Sequence, residues 1–273
     1  VSLFDPLPCG RCMPIETRDE GTVRVITLNR PAKLNALTLE MAIDICNAVE
    51  AAAADASVRC LLLTGSGRAF SSGGDVDEMG EHLPRAGELF YQLTDQLHDT
   101  VSAMLTMRKP VVTAINGIVA GGAIGIALAG DVRIAAESAQ LLSAHLKRGF
   151  VPAGGATYLL PRLIGLSRTQ ALFFGGRTLT SAEMREWGLV HHLVPDGELA
   201  EFAMAEAQRL AAGPTQAMGE TKRLLAAADN LTAEEQLELE SERNRDSGNE
   251  GDAVEGITAF LEKREPEFGR AEN

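Results

Sequence analysis

Two glycine-rich turns are the part of this sequence best suited to chemistry. The first is GRAFSSGGDVDEM, residues 67–79, and the second is NGIVAGGAIG, residues 116–125. Glycine lets a ligand approach the backbone closely and permits φ angles that other residues rarely adopt. One amide from each turn could therefore converge on a single oxygen atom, and a helix beginning near Gly121 would add the positive end of its dipole. Such donors stabilise a developing oxyanion, each typically by roughly 3 kcal/mol.

Glycine turns also allow a strand to pack tightly against a helix, and the turns alone leave this structural interpretation open. Neither turn is a P-loop, because no Gly-Lys-Ser/Thr sequence ends it, and neither supplies GxGxxG after a first strand. A metal site is not expected either. Cys9 and Cys12 form one CxxC, but no second pair of ligands follows at a zinc-like spacing.

The elements that position these turns can be read from the hydrophobic pattern. Apolar strands over residues 59–64 and 110–115 lead into the two turns, and ligand sites in α/β sheets form at such carboxyl ends of strands. Thr38 is a candidate helix cap. The remaining predicted elements of this part are a hairpin over residues 15–29 with its turn at 19–21, helices over 39–53 and 87–107, and strands over 132–135 and 140–142.

Strands alternate with helices up to about residue 195, which predicts an α/β fold with largely parallel pairing. After Pro195 the strand signals stop. Four helices are predicted there, over residues 198–212, 215–228, 233–246 and 252–264. The predicted organisation is a tail over 1–14, an α/β core with the candidate site over 15–195, and a helical region over 196–273.

Composition limits the classes of function. The chain has 273 residues, 45% of them hydrophobic and 23% charged, which is typical of a soluble globular protein. A net charge of -13 repels phosphate backbones, so nucleic-acid binding is not expected. The longest apolar run, residues 117–130, is too short and too glycine-rich to span a bilayer, and no secretory hydrophobic segment begins the chain. We expect a cytoplasmic protein without a membrane partner.

Several ordered segments resemble the enoyl-CoA hydratase/isomerase (crotonase) superfamily. Residues 68–79, RAFSSGGDVDEM, resemble its RAF-x-x-G-A/G-D-hydrophobic-K-E-M stretch, and residues 109–131 resemble its KPV-x-A-x-NG-x-x-x-GGG stretch. Four further segments are similar to family motifs: LNRPAKLNAL at 28–37, VPAGGATYLLPR at 151–162, GLVHHLVP at 188–195 and FLEKR at 260–264. The resemblance covers residues 15–268, and motifs in this order make it specific.

The resemblance implies a spiral core of ββα units, a C-terminal helical trimerisation region and an acyl-CoA thioester substrate. Coenzyme A is then part of the substrate, and no separate cofactor is expected. The expected assembly is a homotrimer or a dimer of trimers. The oxyanion-hole amides are expected at Gly74 and Gly122. The substrate-binding residues that the resemblance implies are Ala32, Lys33, Leu34, Asp75, Val76, Phe260 and Lys263, the last two donated by a neighbouring subunit.

The sequence departs from the family where proton transfer is expected. Hydratases of this family use two glutamates, whose positions here hold Gly125 and His145. Some isomerases and dehalogenases use an aspartate at a third position, which here is Ala153. Asp77 also stands where the family usually has lysine, which weakens the case for a phosphate contact there. The small residues at 125 and 153 suggest room for a bulky or ring-bearing acyl group.

His145 is therefore the candidate acid or base, because an imidazole with an unperturbed pKa near 6.5 suits proton shuttling. The alternative is a structural histidine that fills the vacated space. Asp75 is expected to fix its own turn, and Asp77 and Glu78 to be exposed helix carboxylates. Structural roles are also expected for His191, His192, Asp131 and Glu137. Ser143 lacks a placed acid that would complete a catalytic triad.

Three hypotheses follow. The first is an enzyme of the enoyl-CoA hydratase/isomerase type, in which the Gly74 and Gly122 amides stabilise a thioester enolate and His145, or an ordered water, handles the proton. The second is a non-catalytic acyl-CoA binder that kept the oxyanion hole without the acids. The third is RNA binding, against which the net charge of -13 argues.

Overall fold

The computed structural model describes residues 13–269, so the Cys9–Cys12 pair lies outside the described residues. The strands, in chain order, are β1 (Ile15–Glu20), β2 (Val23–Leu28), β3 (Cys60–Gly65), β4 (Ala69–Ser71), β5 (Val111–Ile115), β6 (Ile118–Ala120), β7 (Val132–Ala136), β8 (Gln140–Leu142), β9 (Thr178–Thr180) and β10 (His192–Val194). The helices are α1 (Leu39–Ala54), α2 (Val76–Glu81), α3 (Gly87–Thr106), α4 (Ala123–Leu128), α5 (Ala156–Gly175), α6 (Ser181–Glu186), α7 (Leu199–Ala211), α8 (Thr215–Ala227), α9 (Ala233–Ser247) and α10 (Gly251–Glu262).

A six-stranded sheet forms the centre of the core. Its strand order is β1-β2-β3-β5-β7-β10, and every pairing except that of β1 with β2 is parallel. All residues of β3 and β5 are buried, as expected for parallel strands covered on both faces. The mixed α/β fold with largely parallel pairing is therefore confirmed.

A second sheet holds the glycine-rich turns side by side. Its order is β4-β6-β8-β9, with β4 and β8 both parallel to the central strand β6. The sequence indicates only loops where β4 and β6 lie, because a strand of three residues is too short to show a period. The sheet brings residues 72–74 and 121–122, just after β4 and β6, to the same edge.

Local signals explain most element boundaries. Thr38 caps α1 by accepting a hydrogen bond from the Met41 amide, as predicted. The hairpin turn begins two residues later than predicted, at Gly21, because Asp19 and Glu20 still belong to β1 and Gly21 adopts φ +64°. Helix α5 contains Pro161 and a kink at Gly165, which hide its helical pattern in the sequence.

The C-terminal helices divide into two kinds. Helix α7 packs on the six-stranded sheet and buries Leu199, Ala203, Ala207, Leu210 and Ala211. By contrast, α9 buries no residue and α10 buries Ala259 alone. Helices α9 and α10 therefore lie outside the core, and the division at residue 195 stays a prediction. In residues 13–269, no helix is long and apolar enough to cross a membrane.

Candidate active site

A cavity of about 760 Å³ lies between the glycine turns, helix α3 and residues 144–153. Six predicted site residues line it: Lys33, Gly74, Asp75, Val76, Gly122 and His145. The other four predicted residues, Ala32, Leu34, Phe260 and Lys263, do not belong to this lining. Phe260 and Lys263 lie at the end of α10, where the Phe260 side chain is 82% exposed.

The first turn is fixed by a short parallel bridge to Leu37. The Leu37 amide donates to the Gly73 carbonyl at 2.8 Å, and the Asp75 amide donates to the Leu37 carbonyl at 2.9 Å. The amide between them, on Gly74, has no hydrogen-bond acceptor among residues 13–269. It is therefore a donor left available at the cavity wall.

Asp75 holds the residues that follow the turn. Its carboxylate caps α2 by accepting hydrogen bonds from the amides of Asp77 and Glu78, and it pairs with Arg30 at 2.9 Å. Burial alone would raise the pKa of Asp75, but the hydrogen bonds from Arg30 and the Glu78 amide hold it below its ordinary value. The prediction that Asp75 fixes its own turn is confirmed.

Asn116 fastens the second turn to the first. Its side-chain amide donates to the carbonyls of Gly67 and Ala69, and its oxygen accepts from the Gly65 amide. Gly121 then adopts φ +58°, and Gly122 begins helix α4. The Gly122 amide, like that of Gly74, finds no acceptor within the described chain. Because α4 has only 6 residues, its dipole adds little to the field at the Gly122 amide.

Gly74 and Gly122 lie against the same stretch of α3. A methyl group built on Gly74 would lie 3.4 Å from the Leu93 side chain, and one built on Gly122 would lie 3.0 Å from that of Leu97. Leu93 and Leu97 are one helical turn apart on the same face. The structure thus brings both predicted glycines to the cavity wall beside the same part of α3.

The expected room at Gly125 is absent, and this corrects the sequence interpretation. A methyl group built on Gly125 would lie 1.3 Å from the carbonyl oxygen of Gly154. Gly154 adopts φ +65°, and a methyl group on it would in turn lie 2.1 Å from the Gly122 carbonyl oxygen. Backbone therefore fills the space that a side chain at 125 needs. Ala153, by contrast, does line the cavity.

His145 is a buried imidazole without a partner. It lines the cavity with 7% of its surface exposed, and neither ring nitrogen has a hydrogen-bond partner among the residues described. A methyl group built on Gly121 would lie 3.9 Å from Nε2, which places this nitrogen beside the second turn. Burial, and secondarily the charge of Arg148, lower the pKa of His145, so the ring is neutral at pH 7.

The other candidate side chains have structural partners. Asp77 pairs with Lys33 at 2.7 Å, and the Glu78 carboxylate accepts from the Leu39 amide. The imidazole of His191 accepts from the Arg133 amide. Asp131 accepts from the Val111 amide and from Lys222. Ser143 is buried and its hydroxyl has no partner within residues 13–269, so the structure completes no triad there.

Several cavity residues were not identified from the sequence. Phe90 and Phe150 meet edge to face with ring centroids 4.8 Å apart, and Leu93 and Leu97 line the same chamber. The apolar positions of α3 indicate a helix but do not show that part of its face meets a cavity. Arg148 carries no motif, and its closeness to His145 in the chain was the available signal.

The fold and this cavity define a class of protein. The sequence profile described as enoyl-CoA hydratase/isomerase matches residues 18–271, and the chain belongs to this family. It is 37% identical over 250 residues to a 1,2-epoxyphenylacetyl-CoA isomerase of Escherichia coli K12, covering 91% of this chain and 95% of that protein.

Solved structures agree with this family. An enoyl-CoA hydratase from Bacillus anthracis superposes with a TM-score of 0.87 at 32% identity, covering 93% of this chain and 98% of the other. An enoyl-CoA hydratase from Polaromonas sp. JS666 gives a TM-score of 0.88 at 29% identity, covering 93% and 98% respectively. The crotonase-like spiral predicted from the motifs is thereby confirmed.

Proposed function

We propose that this protein binds an acyl-CoA thioester in the cavity and moves a proton within its acyl group. The observation that carries the proposal is His145, a buried neutral imidazole with two free nitrogens. It faces the same cavity as the free amides of Gly74 and Gly122. A base and a pair of oxyanion donors are the parts that enolate chemistry requires.

In the proposed step the thioester oxygen accepts hydrogen bonds from the two amides while the imidazole takes a proton from the α carbon. The electron pair of that C–H bond moves into an enolate, whose negative oxygen the amides stabilise. For a 3-enoyl ester, the imidazolium returns the proton to the γ carbon and the double bond moves into conjugation. Nothing is added or lost, so the reaction is an isomerisation.

Hydration is less suited to this site. Adding water requires one group to activate the water and another to protonate the α carbon. The positions that carry carboxylates in hydratases hold Gly125 and His145, and the Gly154 carbonyl fills the space beside Gly125. Asp75 and Asp77 are already paired with Arg30 and Lys33. The Escherichia coli relative is named 1,2-epoxyphenylacetyl-CoA isomerase, and this name too denotes an isomerisation.

The test combines proton exchange with turnover. Saturated acyl-CoA esters incubated in D2O report removal of the α proton by mass spectrometry, and 3-hexenoyl-CoA reports movement of the double bond. We expect both activities and very slow hydration of crotonyl-CoA. Hydration of crotonyl-CoA at rates typical of efficient enzymes would show that another carboxylate reaches the site.

The second candidate is a non-catalytic acyl-CoA binder. It is favoured by the absence of a carboxylate at positions 125, 145 and 153. Both candidates predict that acyl-CoA raises the melting temperature, because a ligand that binds the native state stabilises it. They differ in D2O, where binding of several esters without deuterium incorporation in any of them would establish the binder.

We also propose that the C-terminal helices assemble the protein into a homotrimer or a dimer of trimers. Helix α10 exposes a row of apolar side chains, Val254, Ile257, Phe260 and Leu261, all more than half exposed. Single exposed apolar residues are ordinary, but a contiguous row on a helix with almost no buried side indicates a contact surface. A stable monomer in sedimentation experiments at micromolar concentration would remove this proposal and the assignment of Phe260 and Lys263.

A further inference from the structure

Buried polar atoms without a hydrogen-bond partner are concentrated in one short segment beside the cavity. Residues 13–269 contain seven such side-chain atoms, and three of them are the hydroxyl oxygen of Ser143 and the two ring nitrogens of His145. Ser143 is 3% exposed and His145 is 7% exposed. Buried polar groups normally bond to protein or to ordered water, so three unpartnered atoms this close together call for a common explanation.

The burial pattern places the two side chains on one face of the chain. Leu141, Ser143 and His145 are buried, whereas the two residues that alternate with them are partly exposed. Side chains two residues apart along an extended chain point to the same face. The Ser143 amide also donates to the carbonyl oxygen of Arg177 at 3.4 Å, which prolongs the pairing of β8 with β9 by one residue. The Ser143 hydroxyl and the imidazole therefore lie on the buried side of the same segment.

The two nitrogens of the imidazole have different surroundings. Nε2 lies beside Gly121 of the second turn, and the ring packs edge to face on Phe173 with centroids 6.3 Å apart. Nδ1 is bonded to the ring carbon that carries the side chain, so it lies nearer the backbone of its own segment, which includes Ser143. A neutral imidazole carries one proton, and the hydrogen bond made by one nitrogen decides which of the two holds it.

We infer that Ser143 is a positioning residue for His145, acting through one ordered water. Nδ1–H donates to the water, and the water donates to the Ser143 hydroxyl oxygen. The inference rests on the proposed function, because this arrangement leaves Nε2 unprotonated on the cavity side, where the α proton is taken. Ser143 does not line the cavity, so it acts on the imidazole and not on the substrate.

A water suits these groups because the two side chains do not bond to each other directly. A buried water typically makes about three hydrogen bonds. The Arg177 carbonyl oxygen, which accepts from the Ser143 amide, has a second lone pair for the third bond. The same water thereby partners two of the three unpartnered atoms and leaves Nε2 for the substrate.

The first measurement is the position of the imidazole proton. Nitrogen NMR of the full chain with isotope-labelled histidine distinguishes Nδ1–H from Nε2–H, and His145→Ala identifies the His145 signals among those of 5 histidines. We expect wild type at neutral pH to carry the proton on Nδ1, and Ser143→Ala to lose this preference. Ser143→Thr keeps a hydroxyl and should retain it.

The second measurement separates catalysis from binding. Ser143→Ala should lower kcat for α-proton exchange about ten-fold, as removing a group that orients a histidine does, and change the acyl-CoA dissociation constant less than about two-fold. Ser143→Thr should recover most of kcat. Ser66→Ala is the matched control, because Ser66 is also buried with an unpartnered hydroxyl in the described chain and does not line the cavity.

Two results would overturn the inference. One is a wild-type imidazole that carries its proton on Nε2, and this result requires no variant to fold. The other is a loss of kcat in Ser66→Ala as large as in Ser143→Ala, which would reflect the loss of any buried hydroxyl. If the proton lies on Nδ1 and depends on Ser143 but wild type exchanges no α proton, the proposed function fails while the positioning of His145 by Ser143 stands.

Discussion

The two walls of the cavity are built in opposite ways. The turn wall, residues 72–75 with 121–122, presents backbone amides that Asp75 and Asn116 hold through several hydrogen bonds each. The segment wall, residues 144–153, presents side chains. There the ring nitrogens of His145 have no partner in the described part of the chain, and Arg148 has one long bond.

This difference between the walls corresponds to two separate tasks, polarising the thioester carbonyl and selecting the reaction and the acyl group. A wall of fixed amides can polarise any thioester carbonyl, whatever acyl group follows it. The reaction and the acyl preference then depend on the side chains opposite, which the fold constrains much less. Substitutions in the segment wall should therefore alter the reaction or its rate and change the free energy of unfolding little. Substitutions in the turn wall should mainly lower the free energy of unfolding.

The largest expected effect is on catalysis, from the segment wall. His145→Ala should lower kcat for α-proton exchange by about 10²–10⁴-fold, because a positioned general base contributes that much. The dissociation constant for acyl-CoA should change little. The matched control is His98→Ala, an exposed histidine outside this cavity. Unchanged kcat in His145→Ala would assign the proton transfer to another group.

The next effect is on stability, from the backbone contact behind the turn wall. Gly125→Ala places a methyl group on the Gly154 carbonyl oxygen and should lower the free energy of unfolding by about 1–3 kcal/mol, as overpacking does. Gly80→Ala is the control, because a methyl group there meets no atom within 4 Å and the residue lies in α2. Urea unfolding measures both variants, and equal midpoints would contradict the close packing.

Removing the carboxylate of Asp75 should have a smaller effect on stability. Asp75→Ala should cost about 0.5–2 kcal/mol, the usual range for a lost helix cap. Asp75→Asn keeps an acceptor for the Asp77 and Glu78 amides and loses only the charge opposite Arg30, so its cost should be smaller. Equal costs for the two variants would mean that the ion pair, rather than the cap, holds the turn.

The pH dependence of α-proton exchange tests the role of the segment wall directly. A base must be unprotonated, so activity should fall as pH decreases through the pKa of His145, which lies below the ordinary value of 6.5. Arg148→Met removes a nearby positive charge that lowers this pKa, and the acidic limb of kcat/KM should move to higher pH. A limb that stays in place would show that a different group titrates.

The smallest effect is expected at the exposed Lys33–Asp77 pair. Asp77→Asn frees the Lys33 ammonium, and affinity for free coenzyme A should rise by up to about five-fold, as surface ion pairs are weak. The gain should disappear in high salt, because exposed charges are screened. Weaker binding in this variant would indicate that Lys33 does not face a phosphate.

Much of the fold could be predicted because its strands are apolar runs with clear ends. The buried strands β3 and β5, the cap at Thr38 and the helices after Pro195 follow from local pattern. The short strands β4 and β6 could not be predicted, since three residues show no period. Helix α5 could not be recognised across Pro161 and Gly165.

Some features of the site could likewise be predicted from the sequence and others could not. Ordered motifs point to Gly74, Gly122 and His145, and the structure places all three at one cavity. The contact between Gly125 and Gly154 has no sequence signal, because it depends on where two distant pieces of backbone pass each other. Two small residues suggested room, whereas glycine here permits closer packing.

The contact between Gly125 and Gly154 also limits which substitutions can accumulate in this chain during evolution. A lineage with this packing has no route to a carboxylate at position 125 by a single substitution, because any side chain there overlaps the Gly154 carbonyl. The loop would have to move first, and Gly154 also touches Gly122. Substitutions that add a new reactive side chain are therefore expected at positions 145, 148 and 153, which line the cavity.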